Sequence, residues 1–108
     1  LLDMPVDERP TAIFATSNFL GLNSVKCLKK FKVKIPQDIA VVCYDGVPNY
    51  TENELFLTAA EQPSYNFGYM GTQMLIERIE KKAPKEPRKI VLPAEFHIRA
   101  SSLYLHKK

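Results

Sequence analysis

Short uncharged apolar runs alternate along the chain with longer stretches whose apolar residues recur at helical spacing. Thr11-Ala-Ile-Phe-Ala15, directly after Pro10, predicts a strand buried on both faces, as in a parallel sheet. Phe19, Leu22, Val25, Leu28 and Phe31 then fall on one helical stripe while Lys26, Lys29 and Lys30 lie off it, which predicts an amphipathic helix covering that sheet. Thr16-Ser17-Asn18 supplies side chains able to cap it. Ile35-Pro36-Gln37-Asp38 breaks the pattern, and Ile39 to Tyr44, β-branched and uncharged, predicts a second buried strand. Strand, helix and strand with short joints make a right-handed crossover unit.

Further along, Asp45-Gly46-Val47-Pro48-Asn49 is rich in turn formers, and Leu55 to Ala60 predicts a third strand. Pro63 is placed to open a helix that follows the apolar period through Phe67, Met70, Gly71, Met74, Leu75 and Ile79 to Lys82, with Glu77 and Lys81 at the favourable i, i+4 spacing. Gly68 and Gly71 would each weaken an isolated helix by up to ~1 kcal/mol, so close packing against them is expected. Lys81 to Pro87 reads as a surface connector, and Ile90 to Leu92 and Phe96 to Ile98 as two short strands. The fold class is therefore α/β, a parallel β-sheet with flanking helices.

Composition narrows this picture without redirecting it. With 108 residues and 45% hydrophobic content the chain can bury the core of one compact unit, or be a piece of one. The net charge of +3 comes mainly from Lys26, Lys29, Lys30, Lys32, Lys34, Lys107 and Lys108, and reads as a solvated helix face rather than a nucleic-acid surface. Cys27 and Cys43 have neither a C-x-x-C pattern nor a zinc-ligand spacing, and buried, reduced thiols are expected. No apolar run approaches the ~20 residues of a membrane span, and no basic-then-apolar leader opens the sequence. Leu1 is not a natural start, so an upstream region is free to carry any address.

In an open parallel sheet, ligands collect at the carboxyl ends of the strands. Ser17-Asn18, Asp45 and Glu61-Gln62 hold those positions. An acid followed by Gly at a strand end can accept two hydroxyl hydrogen bonds from a polyol, and Asp45 fits that role; Asp-Gly is also a common turn pair, and the local sequence leans to the turn. Ser17 and Asn18 have the same double reading as helix caps. Chemistry beyond binding finds little support. His97 and His106 lie far along the chain from the strand-end cluster, nothing fixes a geometry for Glu52, Glu54 and Glu61 as paired acids, and there is neither a nucleophile elbow nor a Gly-rich phosphate loop. No enzyme activity, cofactor or metal is expected.

Taken together, Arg9-Pro-Thr-Ala-Ile-Phe-Ala-Thr-Ser-Asn-Phe-Leu-Gly-Leu, Ile35-Pro-Gln-Asp-Ile-Ala-Val-Val-Cys-Tyr-Asp-Gly, Leu57-Thr-Ala-Ala-Glu-Gln-Pro and Leu92-Pro-Ala-Glu-Phe-His-Ile-Arg-Ala-Ser resemble successive landmarks of the LacI/GalR family of transcription regulators. The resemblance implies the later part of a two-lobed, periplasmic-binding-protein-like (type I) effector domain, cytoplasmic and dimeric, touching DNA only through an N-terminal helix-turn-helix that is not among these residues. It assigns 1–62 to the C-terminal effector-binding lobe, 63–98 to the N-terminal lobe, and 99–108 to a return strand and tail. By position it makes Ser17, Asn18, Asp45 and Gln62 effector-binding residues, with a carbohydrate the expected effector. Two departures stand out: Ser17-Asn18 replaces the usual Asn-Asp pair, and Cys43 stands where Gly is common. Asn brings a donor where a carboxylate only accepts, so the site would favour a ligand offering an acceptor there, or hold an ordinary sugar more weakly. An exported sugar-binding protein of a transporter shares the fold; the Leu-Pro-x-Glu run ending in Arg99-x-Ser101 favours the regulator.

Overall fold

The computed structural model describes residues 1–46 and 56–103. After a single 3-10 turn at Val6–Glu8, β1 (Ala12–Ala15), α1 (Asn18–Lys30), β2 (Ala40–Tyr44), β3 (Thr58–Glu61), α2 (Ser64–Ile79) and β4 (Glu95–His97) follow in order. The sheet order is β1-β2-β3-β4. β1 pairs with β2 in parallel from Ala12 opposite Ala40 to Ala15 opposite Cys43, and β2 with β3 in parallel from Val42 opposite Thr58 to Tyr44 opposite Ala60. The residues form two compact units, one comprising the chain up to Glu61 together with the segment from Phe96 onward, the other Gln62–Glu95.

In the first unit, α1 lies over one face of the sheet. Ala15, Val25, Leu28, Ile39, Val41, Cys43, Leu57 and Ala59 make its core. The buried side of α1 is Gly21, Val25 and Leu28, one turn apart each, with Leu22 half-buried; Phe19 and Phe31, expected on the same stripe, are exposed. Gly21 is needed for the close approach: a Cβ there would sit 2.9 Å from the Cys43 Cβ and 3.4 Å from Leu57 Cδ1. The strands are not buried on both faces as predicted. Phe14 is 63% exposed, because the described residues place a helix over only one side of β1.

Both helices stop in the same way. Past α1, Lys32 takes a left-handed φ of 58°, its N–H donates to Lys29 O and the Val33 N–H reaches Leu28 O. Past α2, Lys81 has φ 59°, its N–H donates to Arg78 O and that of Lys82 to Glu77 O. This doubled bonding satisfies the last carbonyls of a helix and normally carries Gly at the left-handed position. It also ends α2 short of the predicted Lys82 and removes Lys81 from the helix face. Glu77 instead binds Arg88, with Nη1 2.6 Å from Oε2. The joint between α1 and β2 contains a cis Ile35–Pro36 bond and is closed by Asp38, whose Oδ2 accepts the Lys34 N–H at 2.8 Å.

β3 begins later than the predicted Leu55, at Thr58, and the cause is the returning tail. Ser101 is fully buried between β2 and β3. Its N–H donates to Phe56 O (2.9 Å), its carbonyl accepts from Val41 N (2.9 Å), and its hydroxyl donates to Val41 O (2.6 Å) while accepting from Thr58 N (2.8 Å). The backbone before Thr58 thus pairs with the tail instead of with β2. The buried Thr58 hydroxyl accepts the Arg99 N–H at 2.8 Å, lies 3.0 Å from Arg99 O, and lies 2.6 Å from Ser102 Oγ.

In the second unit, residues 62–95, none is buried. Tyr65 and Tyr69 stack on the surface of α2 with ring centroids 6.3 Å apart. Nothing within 4 Å would meet a Cβ on Gly68 or Gly71, so the close packing expected there is absent among the described residues. Ile90 to Leu92 is not a strand, since no described segment pairs with it and Val91 is 76% exposed. Phe96 falls in the first unit, as does His97.

Candidate ligand corner at the strand ends

The first-unit candidates converge on the carboxyl ends of β1, β2 and β3. Ser17 is the N-cap of α1: its extended backbone lets Oγ accept the Leu20 N–H at 3.3 Å. Asn18, next in the chain, lines a small cavity with Leu22, Cys43, Gly46, Leu57, Ala59 and Arg99. Its volume of about 10 Å³ is the space of one water, far below the ~300–1,000 Å³ of a ligand pocket, so this cavity does not by itself enclose a ligand.

Asp45 ends β2 in a left-handed conformation, φ 70°, and its N–H donates to Ala60 O at 2.8 Å. Asx residues tolerate this region better than other side chains do. Gly46 follows with no room for a side chain: a Cβ would overlap Glu61 Cγ and stand 2.7 Å from Glu61 Oε1. Gln62 opens the second unit, its carbonyl accepting the Ser64 N–H at 2.8 Å.

The partner of Glu61, whose side chain lies against Gly46, is not apparent from the sequence. Glu61, expected at a strand end beside Gln62 and weighed as one of several acids, is paired with Arg99, whose Nη2 is 3.1 Å from its Oε1, and His97 Nε2 lies 3.4 Å from its Oε2. Arg99 is anchored at its other arm, Nη1 donating to Leu57 O at 2.9 Å. The available signal was position, since Glu61 is the last residue of its strand and Arg99 stands two before the buried Ser101. Glu52, Glu54, His106 and Val47 to Asn49 lie outside the described residues.

The corner also touches the core thiol. Burial pushes the Cys43 thiol above its ordinary value of 9.0, Arg99 pulls the other way, and the Asp45 and Glu61 carboxylates add to the rise. Cys27, expected to be buried, is exposed; both cysteines are free. α1 turns Cys27 off its buried side, which Gly21, Val25 and Leu28 occupy. Among the described residues no group of His, Cys, Asp and Glu is placed to hold a metal ion, and no helix is long and apolar enough to cross a membrane.

Residues 2–102 match the periplasmic binding protein-like domain. The ribose operon repressor of Halalkalibacterium halodurans is 31% identical over 99 residues, which is 90% of this chain and 30% of that protein. Among solved structures, a LacI family transcriptional regulator from Lactobacillus casei with bound sucrose superposes with a TM-score of 0.73 at 26% identity, covering 91% of this chain and 35% of that one. One from Enterococcus faecium with bound ribose gives 0.75 at 28% identity, covering 89% and 35%. The chain belongs to the periplasmic binding protein-like domain family, and within it to the LacI-type branch. It spans about a third of the length of these relatives.

Proposed function

We propose that the chain is the later part of the effector-sensing domain of a LacI-type DNA-binding transcription regulator, a binding module without catalytic activity. The observation that carries this reading is the match across residues 2–102 to a family whose relatives include a ribose operon repressor and a regulator with bound sucrose. The strand-end corner supplies the chemistry. Asp45 accepts ligand hydroxyls, Asn18 offers both a donor and an acceptor, and Ser17, with its oxygen held by the Leu20 N–H, keeps a hydroxyl proton to donate. Gln62 is the fourth effector contact, and the effector is a neutral sugar.

In this reading the first unit, 1–61 with the segment from Phe96 onward, contributes to the C-terminal lobe and the second, 62–95, to the N-terminal lobe, so the return comes three residues earlier than the sequence bounds of 63–98 and 99–108 imply. The complete regulator is a cytoplasmic dimer that meets DNA through a helix-turn-helix encoded upstream. Effector binding shifts it between two states only as far as it binds them unequally.

Two measurements test this. The coding sequence preceding Leu1 should specify a helix-turn-helix; a signal peptide would instead make the protein an exported sugar-binding protein. The full-length gene product should gain thermal stability with at least one sugar from a panel of D-ribose, D-glucose and sucrose, because a ligand that prefers the native state raises it. A flat response across the panel counts against a sugar effector.

A further inference from the structure

We infer that Glu61, braced by Arg99, is a positioning residue that holds the Asp45–Gly46 turn in the conformation that presents the Asp45 carboxylate to an effector. The inference rests on the reading of Asp45 as a ligand contact. Asp45 sits at φ 70°, a backbone state that costs a side-chain-bearing residue free energy and that persists only where the surroundings hold it. Two contacts do so. The Asp45 N–H is tied to Ala60 O, and Gly46 lies so close to the Glu61 side chain that no Cβ fits between them.

Glu61 can serve as a rest for the turn only if it does not swing away, and both its oxygens are engaged, Oε1 by Arg99 and Oε2 by His97. Arg99 in turn cannot follow a moving Glu61. Its second arm is bonded to Leu57 O, and its backbone N–H is fixed on the buried Thr58 hydroxyl beside Ser101. Polar contacts thus run from the buried tail clamp through Arg99 to Glu61, and the Glu61 side chain packs against Gly46.

The test is amide-resolved hydrogen exchange on the full-length gene product, read beside calorimetry with whichever panel sugar binds tightest. Glu61→Ala should speed exchange of the Asp45 amide about tenfold or more while the Val41 to Cys43 amides keep their protection, and Glu61→Gln, which still accepts from Arg99, should restore much of it. Gly46→Ala, which pushes Glu61 aside from the opposite direction, should reproduce the loss should Glu61→Ala fold poorly. Unchanged Asp45 exchange in both Glu61→Ala and Gly46→Ala overturns the inference. So does faster exchange with unaltered sugar affinity, provided Asp45→Asn lowers that affinity. If Asp45→Asn leaves the affinity intact while Glu61→Ala still frees the turn, Asp45 is not a ligand contact, and the positioning role for effector binding falls with it although the brace itself stands.

Discussion

The polar residues that matter most here are those whose hydrogen bonds cannot be replaced by water. Ser101 is the clearest. With no exposed surface, its hydroxyl serves both Val41 O and Thr58 N, so Ser101→Ala leaves a buried acceptor and a buried donor unsatisfied at a cost of about 1–3 kcal/mol each. Chemical denaturation should show that loss, and a change under ~0.5 kcal/mol would mean that Ser101 does not clamp β2 to β3. Cys43 offers a second reading at this scale. Its raised pKa favours the protonated thiol in the fold, so its contribution to stability is fully present below pH 9.0 and is lost as pH rises through the folded value. A thiol reagent at neutral pH should label the exposed Cys27 in the native protein and reach Cys43 only on unfolding. Much of the candidate site was legible at this scale, because strand ends can be located from apolar runs and Ser17, Asn18, Asp45 and Gln62 stand directly after them. Glu61 with Arg99 was not, since a contact spanning 38 positions leaves no local pattern.

Among the elements, those with a strong local pattern and a partner in this chain formed where they were expected. β1, α1 and β2 appear within a residue or so of their predicted limits. Elements that depend on distant chain did not: β3 starts late because Ser101 takes the preceding backbone, and Ile90 to Leu92 finds no pairing strand among the described residues. Helix propensity and packing disagree at Gly21. In an isolated helix Ala is favoured over Gly by about 1 kcal/mol, yet here its methyl would press on Cys43, so Gly21→Ala should destabilise by ~1–3 kcal/mol. Combining it with Cys43→Gly should recover part of the loss in a double-mutant cycle, and simple additivity would show that the two positions do not share the space. The helix ends point the opposite way. Lys32→Gly and Lys81→Gly relieve left-handed residues and should each raise stability by about 1 kcal/mol, read as an increase in Tm.

Taken as a whole molecule, the chain is unevenly finished. The first unit has a buried core, whereas the second has no buried residue and leaves Tyr65, Phe67, Tyr69, Leu75, Ile76, Ile79 and Val91 exposed. One helix and an unpaired extended segment cannot remove that much apolar surface from water by themselves, and unpaired strand edges invite further pairing. Residues 1–108 in isolation should therefore self-associate, and a monodisperse monomer by light scattering would contradict this. The exposed apolar surface of the second unit is accounted for if the chain is the later part of an effector domain. The most direct test of that account is calorimetric titration of the full-length gene product and its Asp45→Asn variant with the panel sugar that stabilises it. Asp45→Asn keeps a residue type that tolerates φ 70° while removing the charge, so the account predicts a weakening of at least ~1.5 kcal/mol, about tenfold, with the protein still folded. Equal affinity in the two proteins would contradict it.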